Sequence, residues 1–317
     1  MEKRKLGTSD LEFAPIVFGG NVFGWTADEA MSHRLLDAFV DAGYSFVDTA
    51  DVYSRWAPGH KGGESEEVIG SWLRKSPAKR EKVQIATKCG MDMPNVGQGL
   101  SRAHIKRSVD AALKRLNTDR IELFQSHRDD KDTPIDETLS TYDELIKGGK
   151  IRHIGASNYE APRLAEVAKV AKDKGLPAYV SLQPHYNLLE RPLFEGALET
   201  ECVKEGLGVI PYWPLAAGFL SGKYRSEADL GKSPRGGGVK KYLNDKGLAV
   251  LKALDTAAKK HNVSNVTVAL AWIMQRKSIT APIVSATNLD QLKELLAAPQ
   301  LKLDSESVAA LDKASAA

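Results

Sequence analysis

The strongest constraint on this chain is a regular alternation of short apolar runs with longer amphipathic segments along its 317 residues. Strand-like runs fall at 15–20, 46–48, 83–88, 121–127, 151–156, 178–183, 207–210 and 283–284. Helical spacing follows each one. Met31, Leu35 and Phe39 with Ala42 share one face, behind a Thr26-Ala-Asp-Glu29 capping box and ahead of Gly43. A helix is expected over 66–73, and another begins at Ser101 with Ile105, Val109, Ala112 and Leu116 in register. Thr133-Pro134 reads as a cap and first-turn proline before Ile135, Leu139, Tyr142 and Ile146, and Gly148-Gly149 stops that helix. Leu164, Val167, Ala168 and Ala171 form a stripe before Gly175; further helices are expected over 193–203, 244–275, after Asn288 and over 303–313. Strands that each feed a helix imply a parallel sheet, and eight such units can close into a barrel. The expected class is therefore α/β, a (β/α)8 TIM barrel. Residues 3–13 carry two short runs around Gly7-Thr8-Ser9-Asp10, a turn cluster suited to an N-terminal β-hairpin cap on the barrel floor. No duplicated segment or linker divides the chain, so 1–317 is expected to be a single domain.

Charge excludes some partners. Lys and Arg number 44 against 41 Asp and Glu, a formal +3, without the concentrated basic patch that nucleic-acid binding needs. No apolar run approaches the ~20 residues of a membrane span, and the amino terminus lacks the apolar stretch of a signal peptide. A cytoplasmic protein with neither a membrane nor a nucleic-acid partner is expected; monomer and homo-oligomer stay equally open. Cys89 and Cys202 lack partners at metal-ligand spacing and read as reduced packing residues. Residues 222–247, rich in Gly, Lys and Arg, exceed an ordinary connection and read as a mobile lid or a tolerated surface insertion.

Chemistry enters at the strand ends. Asp48, Lys88, His127, Ser157-Asn158 and Gln183 close successive runs, and in a barrel such residues face one rim. Each alone is ordinary: a lone Lys is usually solvated or salt-bridged, a lone His a satisfied structural residue. A buried Asp without a partner is costly, so pairing Asp48 with Lys88 rationalises both. Tyr53 follows Asp48 by five residues. A phenol titrates near about 10, and a neighbouring ammonium lowers that value. Tyr53 beside Lys88 is thus expected to be a general acid, with Asp48 holding the lysine and His127 orienting the substrate oxygen or sharing the proton transfer. Such an acid, aimed at an oxygen near a redox cofactor, reduces a carbonyl.

Phe46-Val-Asp48-Thr-Ala-Asp-Val-Tyr53, Ala86-Thr-Lys88, Phe124-Gln-Ser-His127, Gly149-Lys-Ile-Arg-His-Ile-Gly-Ala-Ser157-Asn158 and Pro211-Tyr212-Trp-Pro-Leu-Ala-Ala-Gly-Phe-Leu-Ser-Gly-Lys223-Tyr resemble the corresponding motifs of the aldo-keto reductases, through nearly the whole chain. The resemblance places the family's four catalytic positions on Asp48, Tyr53, Lys88 and His127. It also implies a nicotinamide cofactor bound at the barrel mouth, consistent with the lack of a Rossmann glycine fingerprint. By family position Ser157, Asn158 and Gln183 would hold the carboxamide, and Tyr212 would stack on the ring. Gly20 and Asn21, with Asp48, would lie near the ring and its ribose. Leu215, Ala217, Gly218 and Leu220 would line the pyrophosphate channel, with Lys223 supplying positive charge. Tyr212-Trp213 also admits a plain packing role.

Departures from the family pattern gather at the adenosine end. Ser285-Ala286-Thr287 stands where relatives often carry a basic residue or a different run; Gln291 and Glu294 are retained, and Leu295 replaces a common asparagine. NADP(H) is expected over NAD(H), its 2′-phosphate held by Ser285, Thr287 and Gln291 with Arg225 or Lys240 as candidate cations. Trp213 replaces a frequent small hydroxyl residue. Trp25, Tyr53, Trp56 and His127 would form an aromatic pocket for a small-molecule carbonyl substrate, an apolar aldehyde or ketone, although Trp25 and Trp56 can equally be rim packing. No long carboxy-terminal substrate loop follows the last expected helix, which suggests an open, permissive site. Two rivals stand beside the reductase: a cofactor-binding regulatory subunit of the channel β-subunit type with little turnover, and a Schiff-base aldolase using Lys88. The pairing of Lys88 with Asp48 opposes the second.

Overall fold

The computed structural model describes residues 2–94 and 96–316. An antiparallel hairpin, β1 (Arg4–Lys5) with β2 (Glu12–Phe13), precedes the barrel strands β3 (Val17–Gly19), β4 (Phe46–Asp48), β5 (Gln84–Cys89), β6 (Ile121–Ser126), β7 (Ile151–Ser157), β8 (Ser181–Gln183), β9 (Gly208–Val209) and β10 (Ile283–Val284). These eight are parallel and ordered β10-β3-β4-β5-β6-β7-β8-β9. The ring closes where Thr280 N donates to Val209 O at 2.8 Å and Ile283 N to Pro211 O at 2.9 Å.

Helices α1 (Glu29–Asp41), α2 (Glu64–Lys75), α3 (Arg102–Leu116), α4 (Ile135–Lys147), α5 (Ala161–Lys174) and α6 (Ala197–Lys204) follow β3 to β8 in turn. Beyond β9 come the single turn α7 (Gly236–Val239), α8 (Asp245–His261) and α9 (Asn265–Met274); α10 (Leu289–Ala297) and α11 (Ser305–Ser315) complete the chain. Every residue of α9 from Val266 to Met274 is buried, as expected of a helix that is apolar all round. None of the described helices is long and apolar enough to cross a membrane.

The hairpin plugs the floor. Leu6, Leu11 and Phe13 pack with Val17, Phe46, Ala86, Leu123, Val180, Ile210 and Ala281 in one cluster, and the rings of Phe13 and Phe46 lie 4.3 Å apart. Gly7 turns the hairpin at φ +55°, and a Cβ there would fall 2.1 Å from Val180 O, so both backbone angle and space demand glycine.

Local boundaries correct several expectations. The cap of α1 is Asp28, whose carboxylate accepts from Met31 N at 2.7 Å, rather than Thr26. Thr133 does not cap α4: its hydroxyl donates to Asp130 Oδ2 at 2.7 Å, and Pro134 itself occupies the cap position. Residues 193–203 split into a turn at Arg191–Leu193 and α6, parted by Gly196 at φ 97°. The 244–275 stretch is two helices, because Asn262 adopts φ 53° and Ser264 restarts the chain by accepting from Thr267 N. Residues 222–247 fold as short turns around α7 and carry their own anchors, with Tyr224, Val239 and Tyr242 buried in the main core.

Candidate active site

Side chains alternate along a strand, so inward positions two residues apart form successive layers of the barrel. Phe46, Ala86 and Leu123 belong to the floor cluster. Two residues further along the same strands stand Asp48, Lys88 and Gln125, all fully or almost fully buried. Register brings them level: Lys88 pairs with Gln125 across β5 and β6, and Ser157 with Gln183 across β7 and β8.

The Lys88 ammonium donates to Asp48 Oδ2 at 2.6 Å, to Thr49 O at 2.8 Å and to Tyr53 Oη at 2.9 Å. Those bonds use all three of its donors. Tyr53 in turn donates to Asp48 Oδ2 at 3.3 Å. The other carboxylate oxygen, Oδ1, accepts from Gln183 Nε2 at 2.9 Å and Gln125 Nε2 at 3.1 Å. Burial lowers the Lys88 pKa while the Asp48 carboxylate opposes that; an ammonium so engaged is ill placed to attack a carbonyl. The phenol differs from expectation. Its pKa lies well above 10, raised by burial first and by Asp48 second, so desolvation outweighs the ammonium. Tyr53 therefore keeps its proton at neutral pH.

His127 follows β6 and is tied by its backbone N to Cys89 O at 2.8 Å. Its ring meets that of Tyr53 edge-on at 6.0 Å, and Nδ1 is buried without a partner among the described residues. Burial first and Lys88 second hold its pKa well below the usual histidine value. The imidazole is neutral and can donate from one nitrogen.

The expected cofactor residues gather on the same rim. Tyr212 stacks on His185 with centroids 5.3 Å apart and 15° between planes, and its hydroxyl donates to Asn158 Oδ1 at 2.9 Å. Asn158, at φ 58°, donates to His127 O at 2.9 Å, and Ser157 Oγ donates to Gln183 O at 2.9 Å. Ala216, Ala217 and Gly218 follow one another at φ 48°, 56° and 96°. The Cβ position of Gly218 is 3.6 Å from Lys223 Nζ, so this left-handed turn of small residues runs beside a cation, a combination that fits a pyrophosphate. Asn21 Oδ1 lies 2.6 Å from Ser285 Oγ, next to Gly20. At α10, Thr287 N and Oγ1 bond Gln291 Oε1 at 2.8 and 3.1 Å, and Glu294 is half-buried nearby. These groups fit a nicotinamide dinucleotide.

Some assignments need correction. The Leu220 side chain is fully buried in the main core, so only its backbone is left to face a channel, whereas Leu215 and Ala217 are half-buried. Arg225 is held by Asp255 at 2.8 and 2.7 Å and Lys240 by Glu227 at 3.1 Å, so both cations already have counter-ions. Trp213 is exposed at φ 55°, its ring edge-on to those of His185 and Tyr212 at 5.2 and 6.0 Å. Trp25 meets Trp56 edge-on at 5.7 Å, and Trp56 lies 6.0 Å from Tyr53, which makes one aromatic wall reaching the phenol.

Gln125 and Asp51 were not anticipated. Gln125 could have been found from its place two residues beyond inward-facing Leu123. Asp51 carries a buried Oδ1 without a partner among the described residues, and its pKa is pushed up to about 7 by burial first and Glu66 second. Nothing in its local sequence distinguishes it from a solvated loop carboxylate.

The C-terminal rim of this parallel barrel thus buries a lysine against a protonated phenol. The profile of the aldo/keto reductase family matches residues 15–316. Similar proteins include the oxidoreductase YrpG of Bacillus subtilis (strain 168), 34% identical over 96% of this chain and 93% of its own length. Versiconal hemiacetal acetate reductase of Aspergillus parasiticus is 30% identical over 99% of this chain and 96% of its own. L-glyceraldehyde 3-phosphate reductase of Escherichia coli O157:H7 is 31% identical over 99% and 92% respectively. The chain belongs to the aldo/keto reductase family, whose members use a nicotinamide cofactor to reduce small carbonyl compounds.

Proposed function

We propose that the protein is an NADPH-dependent reductase of aldehydes or ketones, acting as one unit over 1–317 in the cytoplasm, with Tyr53 as the proton donor. The observation that carries this reading is the 2.9 Å contact of Lys88 Nζ with Tyr53 Oη inside a buried Asp48 pair. A nicotinamide held at this rim would supply the hydride. Tyr53 gives its proton to the oxygen that becomes alkoxide, and the adjacent ammonium stabilises the phenolate left behind. A phenol with a high pKa is reluctant to ionise before that moment, so it stays loaded for reduction. Asp48 fixes the ammonium, while Gln125 and Gln183 fix Asp48. Neutral His127 donates to the substrate oxygen and orients it. Trp25, Trp56 and Tyr53 form an apolar wall for the rest of the substrate.

For the cofactor, Gln183 and Ser157 would meet the carboxamide. Asn158 can join them once Tyr212 releases its Oδ1, which couples ring stacking to carboxamide binding. The preference for NADPH rests on Ser285, Thr287 and Gln291, whose hydroxyls would turn from Asn21 and Gln291 to a 2′-phosphate, with the Gln291 amide as a third donor. The test is absorbance loss of NADPH or NADH with a panel of aldehydes, alongside fluorescence titration of each cofactor. NADPH should be oxidised and should bind at least tenfold more tightly; equal affinities remove the preference, and no oxidation with any aldehyde removes the reductase.

A further inference from the structure

Arg235, in the turn that leads into α7, is half-buried and has no counter-ion among the described residues. Its guanidinium sits 5.5 Å from the ring centroid of Trp25. Its Nη2 is out of contact with solvent and has no hydrogen-bond partner among the described residues. Four basic residues of the same segment already have acidic partners: Arg225 bonds Asp255, Lys232 bonds Asp229, Lys240 bonds Glu227 and Lys241 bonds Glu190, while Lys223 lies over the Tyr224 ring at 5.1 Å. Arg235 faces an indole and the Tyr224 side, where desolvation is the dominant influence on it. A guanidinium keeps its charge in proteins, and taking one of its donors out of water without an acceptor is costly. Stacking on tryptophan offsets part of that cost. The donor itself stays unfilled.

Trp25 is the far end of the aromatic wall that begins at Tyr53. The geometry points to Arg235 as an anion-recognising residue of the substrate pocket, selecting carbonyl compounds that carry a carboxylate or phosphate at the end remote from the reacting carbon. The inference rests on the carbonyl-reducing reading of the rim. It adds a charged anchor to a pocket otherwise lined by aromatic rings, and arginine's fork suits both anions. The carbonyl would lie at Tyr53 and His127, the body against Trp56 and Trp25, and the anion on the guanidinium.

The test compares size-matched substrates, 4-carboxybenzaldehyde against 4-methylbenzaldehyde and glyceraldehyde 3-phosphate against glyceraldehyde, in wild type, Arg235→Met and Arg235→Lys. In wild type kcat/KM should favour at least one anionic partner by tenfold or more, the pair showing which anion is preferred. In Arg235→Met that ratio should collapse about tenfold through KM, and Arg235→Lys should restore part of it. A wild-type ratio near one, or a ratio that Arg235→Met leaves intact, overturns the inference. So does a weakened NADPH affinity with the ratio unchanged, since the guanidinium would then serve the cofactor. If wild type turns over none of the four carbonyls, the reductase reading fails and the inference falls with it; turnover of all four without charge preference sinks the inference alone. Should Arg235→Met not fold, the wild-type ratios and Arg235→Lys still decide.

Discussion

The two ends of the barrel are built from the same strands and obey opposite rules. On β4, β5 and β6 the lower inward positions are Phe46, Ala86 and Leu123, sealed by Leu6, Leu11 and Phe13 of the hairpin. The upper ones are Asp48, Lys88 and Gln125, equally dry but charged or amide-bearing. Removing apolar surface from water is the main favourable contribution at the floor. At the rim, burial works against folding, and each polar atom must be matched by another. One step of two residues along a strand therefore separates a layer that stabilises from a layer that reacts.

Substitutions at the two ends should separate these roles. The largest effect on folding is expected at the floor: Phe13→Ala leaves a cavity under Phe46 and should cost about 3–5 kcal/mol of stability. Chemical denaturation reads that loss, and the folded fraction should keep its kcat because Phe13 is far from Tyr53. A selective loss of kcat with stability intact would erase the contrast between floor and rim.

A smaller effect is expected beside the rim. The Asp51 carboxyl is pushed up to about 7 by burial and then by Glu66. A carboxyl whose pKa is raised on folding contributes its full stability below its unfolded value, and loses it as pH rises through the folded one. Asp51→Asn stays neutral throughout, so relative to wild type it should gain about 2 kcal/mol between roughly pH 5 and pH 8. Denaturation midpoints measured at both pH values check the sign; a gain larger at the acid end would mean that Asp51 is a paired carboxylate in the fold.

Much of this was legible because barrel geometry is periodic. Eight apolar runs in alternation with helical stripes define the topology, and strand-end residues converge whatever their separation in sequence, so Asp48, Tyr53, Lys88 and His127 could be named together. What failed to show depends on three-dimensional competition. Thr26 and Asp28 are both good caps, and only the entry angle of the chain decides between them. Lysine beside a phenol suggests a lowered pKa, yet the balance turns on how completely Tyr53 is desolvated and on its bond to Asp48. Leu220 sits in a motif expected to line the pyrophosphate channel, but its side chain is buried in the core. Arg235 lies among many basic residues in a low-complexity stretch, and its solvent-excluded Nη2 against Trp25 appears only in three dimensions.

The decisive measurement is steady-state reduction by Tyr53→Phe together with its NADPH affinity and thermal midpoint. Losing the donor should lower kcat about 10²–10⁴-fold, while cofactor binding and the thermal midpoint stay close to those of wild type. Turnover at the wild-type rate in a folded, NADPH-binding Tyr53→Phe protein would show that the proton comes from elsewhere.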